Sequence, residues 1–132
     1  MMFFIVDDSD AVRRRLVELL SEVEGAEVVG QAANARDAVE GIGRLKPQVV
    51  ILDIQIPGES GIAVLKKIKQ ASRPPLVMML TNHASPQYRK KCLEWGADFF
   101  LDKSRDLERL FLIFKGLVQQ PMRKGVETGA AT

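Results

Sequence analysis

Cysteine is almost absent from this chain of 132 residues: Cys92 stands alone, so no disulfide can close within a monomer and no cysteine-based zinc site can be assembled. The only histidine, His83, cannot make a zinc centre by itself either. Charge of one sign is also lacking. Nineteen basic against seventeen acidic residues leave a net charge of +2, far from the one-sided charge of a dedicated nucleic-acid binder or a polybasic membrane protein. Long apolar runs are missing: Met1–Val6 meets Asp7-Asp8 after six residues, too short and too poor in basic flank for a signal peptide. No run approaches the roughly 20 residues a membrane helix needs. Nor is there an internal repeat. These absences predict a cytoplasmic protein with no membrane partner and no direct nucleic-acid partner.

What is present suits one compact domain, since 46% hydrophobic and 27% charged residues over this length supply one core and a solvated surface. Phe3–Val6, Gln48–Leu52 and Leu76–Leu80 are runs of β-formers that stop at polar residues, and Glu27–Gly30 and Phe99–Leu101 are shorter candidates. Between them apolar residues recur at helical spacing. Val12, Leu16, Leu19, Leu20 and Val23 share one face, as do Ala35, Ala38, Val39, Ile42 and Leu45. Ile62, Leu65 and Ile68 mark a third helix, Tyr88, Cys92 and Trp95 a fourth, and Leu107 to Val118 a fifth. Ser9 or Asp10, Asn34 and Ser104 are placed as N-caps, Gly25 and Gly96 as helix stops. Uniformly apolar strands alternating with helices predict a parallel sheet covered on both faces, a doubly wound (βα)5 fold of α/β class. After Val118 the periodicity is lost, which predicts a flexible tail over 119–132.

In such sheets the site lies beyond the carboxyl ends of the strands, where the strand order reverses. The polar chemistry of this sequence falls there. Asp7 and Asp8 follow the first strand, Asp53 the third, Thr81 the fourth, and Lys103 lies just past the fifth. If the order is 2-1-3-4-5, three carboxylates converge, and their mutual repulsion calls for a cation. An oxygen-only, partly hydrated site favours Mg2+ over zinc. Lys103 adds a compact positive charge and Thr81 a hydroxyl donor, as a phosphoryl group requires. Asp53 is the best nucleophile candidate, a carboxylate able to form an aspartyl phosphate.

With Asp7-Asp8, the Asp53-x-x-x-Pro57-x-x-x-Gly61 loop, Thr81, Gly96-Ala97-Asp98 and Lys103 each at a strand end, the chain resembles the receiver domain of two-component response regulators over residues 2–118. The resemblance implies a flavodoxin-like, CheY-like fold and a cytoplasmic phosphoacceptor signalling domain rather than an enzyme with turnover. It implies that Asp53 accepts the phosphoryl group, that Asp8 binds Mg2+ directly and Asp7 through water, and that the backbone carbonyl of Gln55 is a further ligand. Lys103 is then expected to contact the phosphoryl group, Thr81 to hydrogen-bond it after transfer, and Phe100 to turn inward in the active state. The implied partners are a histidine kinase or histidine phosphotransfer protein. A downstream protein target, or a second copy in a homodimer, would then meet the face of the fourth helix, fifth strand and fifth helix. The tail is too short for an output domain, which points to a stand-alone receiver or a receiver cut from a longer regulator.

Ser104 stands where proline often follows the lysine, Asn82 where a small residue usually follows the threonine, and Phe100 where tyrosine is frequent. His83 and Gln55 occupy positions that tune the phosphoryl lifetime in this family. Two other readings compete. A receiver fold used as an interaction module without phosphorylation would not need all five site residues, and a haloacid-dehalogenase-like phosphatase needs an Asp-x-Asp pair on the first strand, where Asp7 and Asp8 are adjacent. Singly, Asp7-Asp8 is a helix-capping pair, Lys103 a surface lysine and Phe100 a core aromatic. The run Arg13-Arg14-Arg15 reads as a solvated helix face, and Arg89-Lys90-Lys91 equally as a solvated face or a partner surface.

Overall fold

The computed structural model describes residues 1–119. Five strands, β1 (Met2–Val6), β2 (Glu27–Ala32), β3 (Val49–Leu52), β4 (Leu76–Thr81) and β5 (Phe99–Asp102), pair in parallel in the order β2-β1-β3-β4-β5. The expected doubly wound sheet is therefore present. Each strand is linked to the next by a helix: α1 (Asp10–Ser21), α2 (Ala35–Leu45), α3 (Gly61–Ile68) and α4 (Pro86–Glu94). The last helical stretch is split into α5 (Lys103–Asp106), a 3-10 turn (Leu107–Arg109) and α6 (Leu110–Gln119). The expected tail, from residue 120 onward, lies outside the described residues.

Strand side chains alternate between two cores because successive residues point to opposite faces of the sheet. Phe3, Ile5, Val49, Ile51 and Met78 pack with Leu16 and Leu20 of α1 and Leu110 and Phe114 of α6. Phe4, Val6, Val50, Leu52 and Met79 face the other way, onto Ala38 and Ile42 of α2, Val64 and Leu65 of α3, and Cys92 of α4. Burying a side chain of this size contributes about 1.5–3 kcal/mol relative to exposure, so the two apolar layers dominate stability.

Helix ends follow local chemistry. Ser9, Asn34, Ser60 and Ser85 cap α1 to α4 with side-chain oxygens that accept a backbone N–H of the first turn. At the end of α4, Gly96 adopts φ 99°, and the Ala97 and Gly96 N–H groups donate to the carbonyls of Cys92 and Leu93, which helps to satisfy acceptors of the last turn. Two expected boundaries are corrected. Helix α1 stops at Ser21, and Gly25 instead serves a turn closed by the Ala26 N–H on the Val23 carbonyl. The N-cap of α5 is Asp102, not Ser104: the Asp102 carboxylate accepts both the N–H (2.9 Å) and the hydroxyl (2.7 Å) of Ser104.

Cys92 is fully buried, and burial pushes its thiol up to about 11. Little thiolate exists at neutral pH, and none of it is reachable. Native protein is expected to resist an aromatic disulfide thiol reagent for hours at pH 8, and to titrate one thiol per chain in denaturant. Rapid reaction without denaturant would show that α4 opens readily.

Candidate functional site

Parallel pairing brings the carboxyl ends of all strands to one edge, and the adjacency of β1 and β3 makes that edge between them the switch point. Asp7 and Asp8 leave β1 there, with the Asp7 N–H donating to the Ala32 carbonyl at 3.1 Å. Asp53 leaves β3 beside them, its N–H donating to the Val6 carbonyl at 3.1 Å. Carboxylate oxygens of Asp7, Asp8 and Asp53 can all lie within 4.8 Å of one another.

Lys103 holds two of the three acids. Its Nζ stands 2.7 Å from Asp7 Oδ2 and 2.8 Å from Asp53 Oδ2, with side-chain exposures of 11%, 3% and 7% respectively. The remaining oxygens are also engaged: Asp7 Oδ1 accepts the Ser9 N–H at 2.9 Å, and Asp53 Oδ1 the Ile54 N–H at 2.7 Å. Burial pushes the Asp7 carboxyl up, and the contact with Lys103 only partly reverses this. For Lys103 burial acts downward, but its hydrogen bonds and charge pairing with Asp53 and Asp7 hold the ammonium above its usual range. Asp8 is exposed, and among the described residues its carboxylate has no hydrogen bond or ion pair. Three convergent carboxylates, two buried and one open to solvent, with oxygen as the only donor atom, fit a hard divalent cation such as Mg2+.

The acids open into a cleft of about 990 Å3 whose lining includes Asp8, Asp53, Gln55, Asn82, His83 and Lys103. Gln55, Asn82 and His83 are exposed, whereas Thr81 is fully buried and not part of the lining. Thr81 Oγ1 accepts the His83 N–H at 3.1 Å. Phe100 also stands apart from the cleft, half-buried on β5 opposite Met79 and packed against the core on the α2–α4 side. Of the expected set, Asp7, Asp8, Asp53 and Lys103 are thus assembled directly, with Gln55 at the rim.

Gly61 explains the shape of the loop after Asp53. Its N–H donates to the Ile54 carbonyl at 2.6 Å, and a Cβ on Gly61 would lie 1.9 Å from the Asp53 carbonyl oxygen. Asp98 closes the start of β4, its carboxylate accepting the Val77 N–H at 2.8 Å and the Lys69 ammonium at 2.9 Å.

Two residues of the site's framework escape a reading of the sequence. Asp106 is buried and accepts the Asp102 N–H at 2.9 Å, which draws the start of α5 into a tight turn under Lys103. That contact and the Arg109 guanidinium hold its carboxyl below the usual range. Arg13 is the other, and the reading of Arg13-Arg14-Arg15 as a solvated face is wrong for it. Its side chain is 16% exposed and reaches the Asp7 carbonyl. The spacing Asp10-x-x-Arg13 was the available signal, an i,i+3 pair on one helix face. Arg89, Lys90 and Lys91 do lie exposed, and Trp95 is exposed too, with the Lys66 ammonium 4.3 Å from its ring.

Residues 3–115 match the family described as "Response regulator receiver domain". A protein of Vibrio cholerae described as an uncharacterized response regulatory protein is 39% identical over 116 residues, which cover 88% of this chain and 48% of the relative. The curated relatives it matches are longer: the aligned part spans between a quarter and slightly over half of their length. Among solved structures, the response regulator domain of Thermotoga maritima CheB superposes with a TM-score of 0.81 at 27% identity, over 93% of this chain and 96% of that one. A CheX–CheY–BeF3–Mg2+ complex from Borrelia burgdorferi gives 0.75 at 28% identity, over 86% and 89%.

Proposed function

The chain belongs to the response regulator receiver domain family of two-component signalling, and from that premise we propose that Asp53 accepts a phosphoryl group from a histidine kinase or a histidine phosphotransfer protein. The observation that carries this reading is Lys103 bridging Asp7 and Asp53 at 2.7 and 2.8 Å at the mouth of an open cleft.

In the transfer, an Asp53 carboxylate oxygen attacks phosphorus. The new O–P bond forms as the donor's N–P bond breaks, and the departing imidazole keeps the electron pair and takes up a proton from water. Asp7, Asp8, Asp53 and the Gln55 backbone carbonyl are the groups that would hold Mg2+. When bound, the ion supplies positive charge to offset the acids and the phosphoryl oxygens. Lys103 exchanges one carboxylate partner for a phosphoryl oxygen and keeps its charge in place throughout. Thr81 accepts a hydrogen bond from His83 and retains its own hydroxyl proton, which it is able to donate to the phosphoryl group once formed.

That new contact draws the β4–α4 segment toward the site, and Phe100 then turns inward. The face of α4, β5 and α5–α6 changes with it, to be read by a downstream protein or by a second copy of the chain.

Incubation with acetyl phosphate and Mg2+ is expected to add the mass of one phosphoryl group, labile on standing, and Asp53→Asn is expected to add none. An Asp53→Asn protein that gains the same mass would remove Asp53 from the role.

A further inference from the structure

We propose that Arg13 is a positioning residue for the cation site, holding the Asp7–Asp8 peptide in the orientation that aims the Asp8 carboxylate at Asp7 and Asp53. This rests on the reading above that these three acids hold a divalent cation.

The guanidinium makes three contacts to three separate segments. Nη1 donates to the Asp7 backbone carbonyl at 2.6 Å, Nε donates to Gln31 Oε1 at 3.2 Å, and Nη2 pairs with the Asp10 carboxylate. One planar group thus ties the end of β1, the end of β2 and the first residue of α1 together, a task suited to a rigid fork of donors. The Asp7 carbonyl belongs to the peptide that joins Asp7 to Asp8, so its direction fixes the backbone from which Asp8 projects. Asp7 has anchors of its own in Lys103 and the Ser9 N–H. Asp8 has none among the described residues, so its carboxylate is placed by backbone alone. Groups that orient metal ligands without touching the metal commonly change affinity by about 10- to 100-fold when removed.

Charge alone predicts the opposite sign. Arg13 places a positive charge beside an acidic site, and deleting it should remove Coulomb repulsion of the cation and tighten its binding. A positioning role predicts that binding weakens.

The test is Mg2+ binding by isothermal titration to wild type, Arg13→Ala and Arg13→Lys, with thermal melting of each in EDTA. The expected result is about tenfold weaker binding for Arg13→Ala. An intermediate value is expected for Arg13→Lys, whose single ammonium can replace only part of the fork. The Arg13→Lys melting temperature should stay within a few degrees of wild type, so that variant carries the test if Arg13→Ala folds poorly. Equal or tighter Mg2+ binding in both variants, with wild type binding normally, would overturn the positioning role. Absence of Mg2+ binding by wild type would instead overturn the cation reading on which it rests.

Discussion

Gly61→Ala is expected to cost about 3 kcal/mol or more of stability, because the added methyl would lie 1.9 Å from the Asp53 carbonyl oxygen, less than any tolerable contact. The clash is with backbone rather than with the end of a flexible side chain, so no rotamer change relieves it. Either the loop after Asp53 moves outward or the start of α3 does. The Gly61 N–H contact with the Ile54 carbonyl at 2.6 Å is lost in both cases. For a domain of this size the loss corresponds to a fall of about 10 °C in melting temperature. The same displacement shifts Asp53 against Lys103, so phosphoryl uptake from acetyl phosphate should fall in the fraction that remains folded. A melting temperature within 2 °C or so of wild type, judged against that scale, would mean that the loop is not held against the helix as described.

Lys103→Met is expected to abolish phosphoryl uptake and to destabilise the protein by about 3 kcal/mol at neutral pH, since it leaves two buried carboxylates without their shared counter-charge. The pH dependence has a definite sign. Burial already raises the Asp7 carboxyl in the folded state, so over the range between its unfolded and folded values the folded protein binds more protons. Stability from this group therefore rises as pH falls through the folded value. Removing Lys103 removes the contact that opposes the shift, so the variant should recover stability on mild acidification. Mg2+ should stabilise it more than it stabilises wild type. The raised ammonium works the other way in wild type: its contribution is complete below the ordinary lysine range and is lost only as pH rises through the higher folded value. Urea unfolding at pH 7 and pH 5, with and without Mg2+, separates these effects. A variant as stable as wild type at pH 7, with no gain at pH 5, would contradict the electrostatic account.

The sheet was legible because its strands are short apolar runs, Phe3–Val6 and Val49–Val50-Ile51-Leu52 among them, and because parallel order follows from helices placed between strands. The acids were legible for the same reason: parallel strands put Asp7, Asp8 and Asp53 at one edge wherever the exact boundaries fall. What the sequence concealed depends on side-chain reach. Asp102 displaced Ser104 as the cap because a carboxylate one residue before Lys103 can take both the N–H and the hydroxyl of Ser104 at once. The fifth helix breaks at Asp106, whose backbone (φ −104°, ψ 1°) leaves the helical region ahead of the 3-10 turn, and its side chain turns back to the Asp102 N–H rather than facing solvent. Arg13 looked like one of three similar arginines, and its contacts with the Asp7 carbonyl at the end of β1 and with Gln31 of β2 set it apart from Arg14 and Arg15. Thr81 sits where its strand predicts, yet fully buried, so the role proposed for it requires a movement away from the arrangement at rest.

The most direct test of the central claim is to phosphorylate the protein with a phosphohistidine donor and Mg2+, reduce it with borohydride, and map the peptides by mass spectrometry. Reduction of an aspartyl phosphate leaves homoserine at the acceptor position. The account predicts that homoserine at residue 53 and nowhere else, absent without donor and absent in Asp53→Asn. Phosphoryl uptake with residue 53 still aspartate, and homoserine at Asp7, Asp8 or another acid, would contradict it.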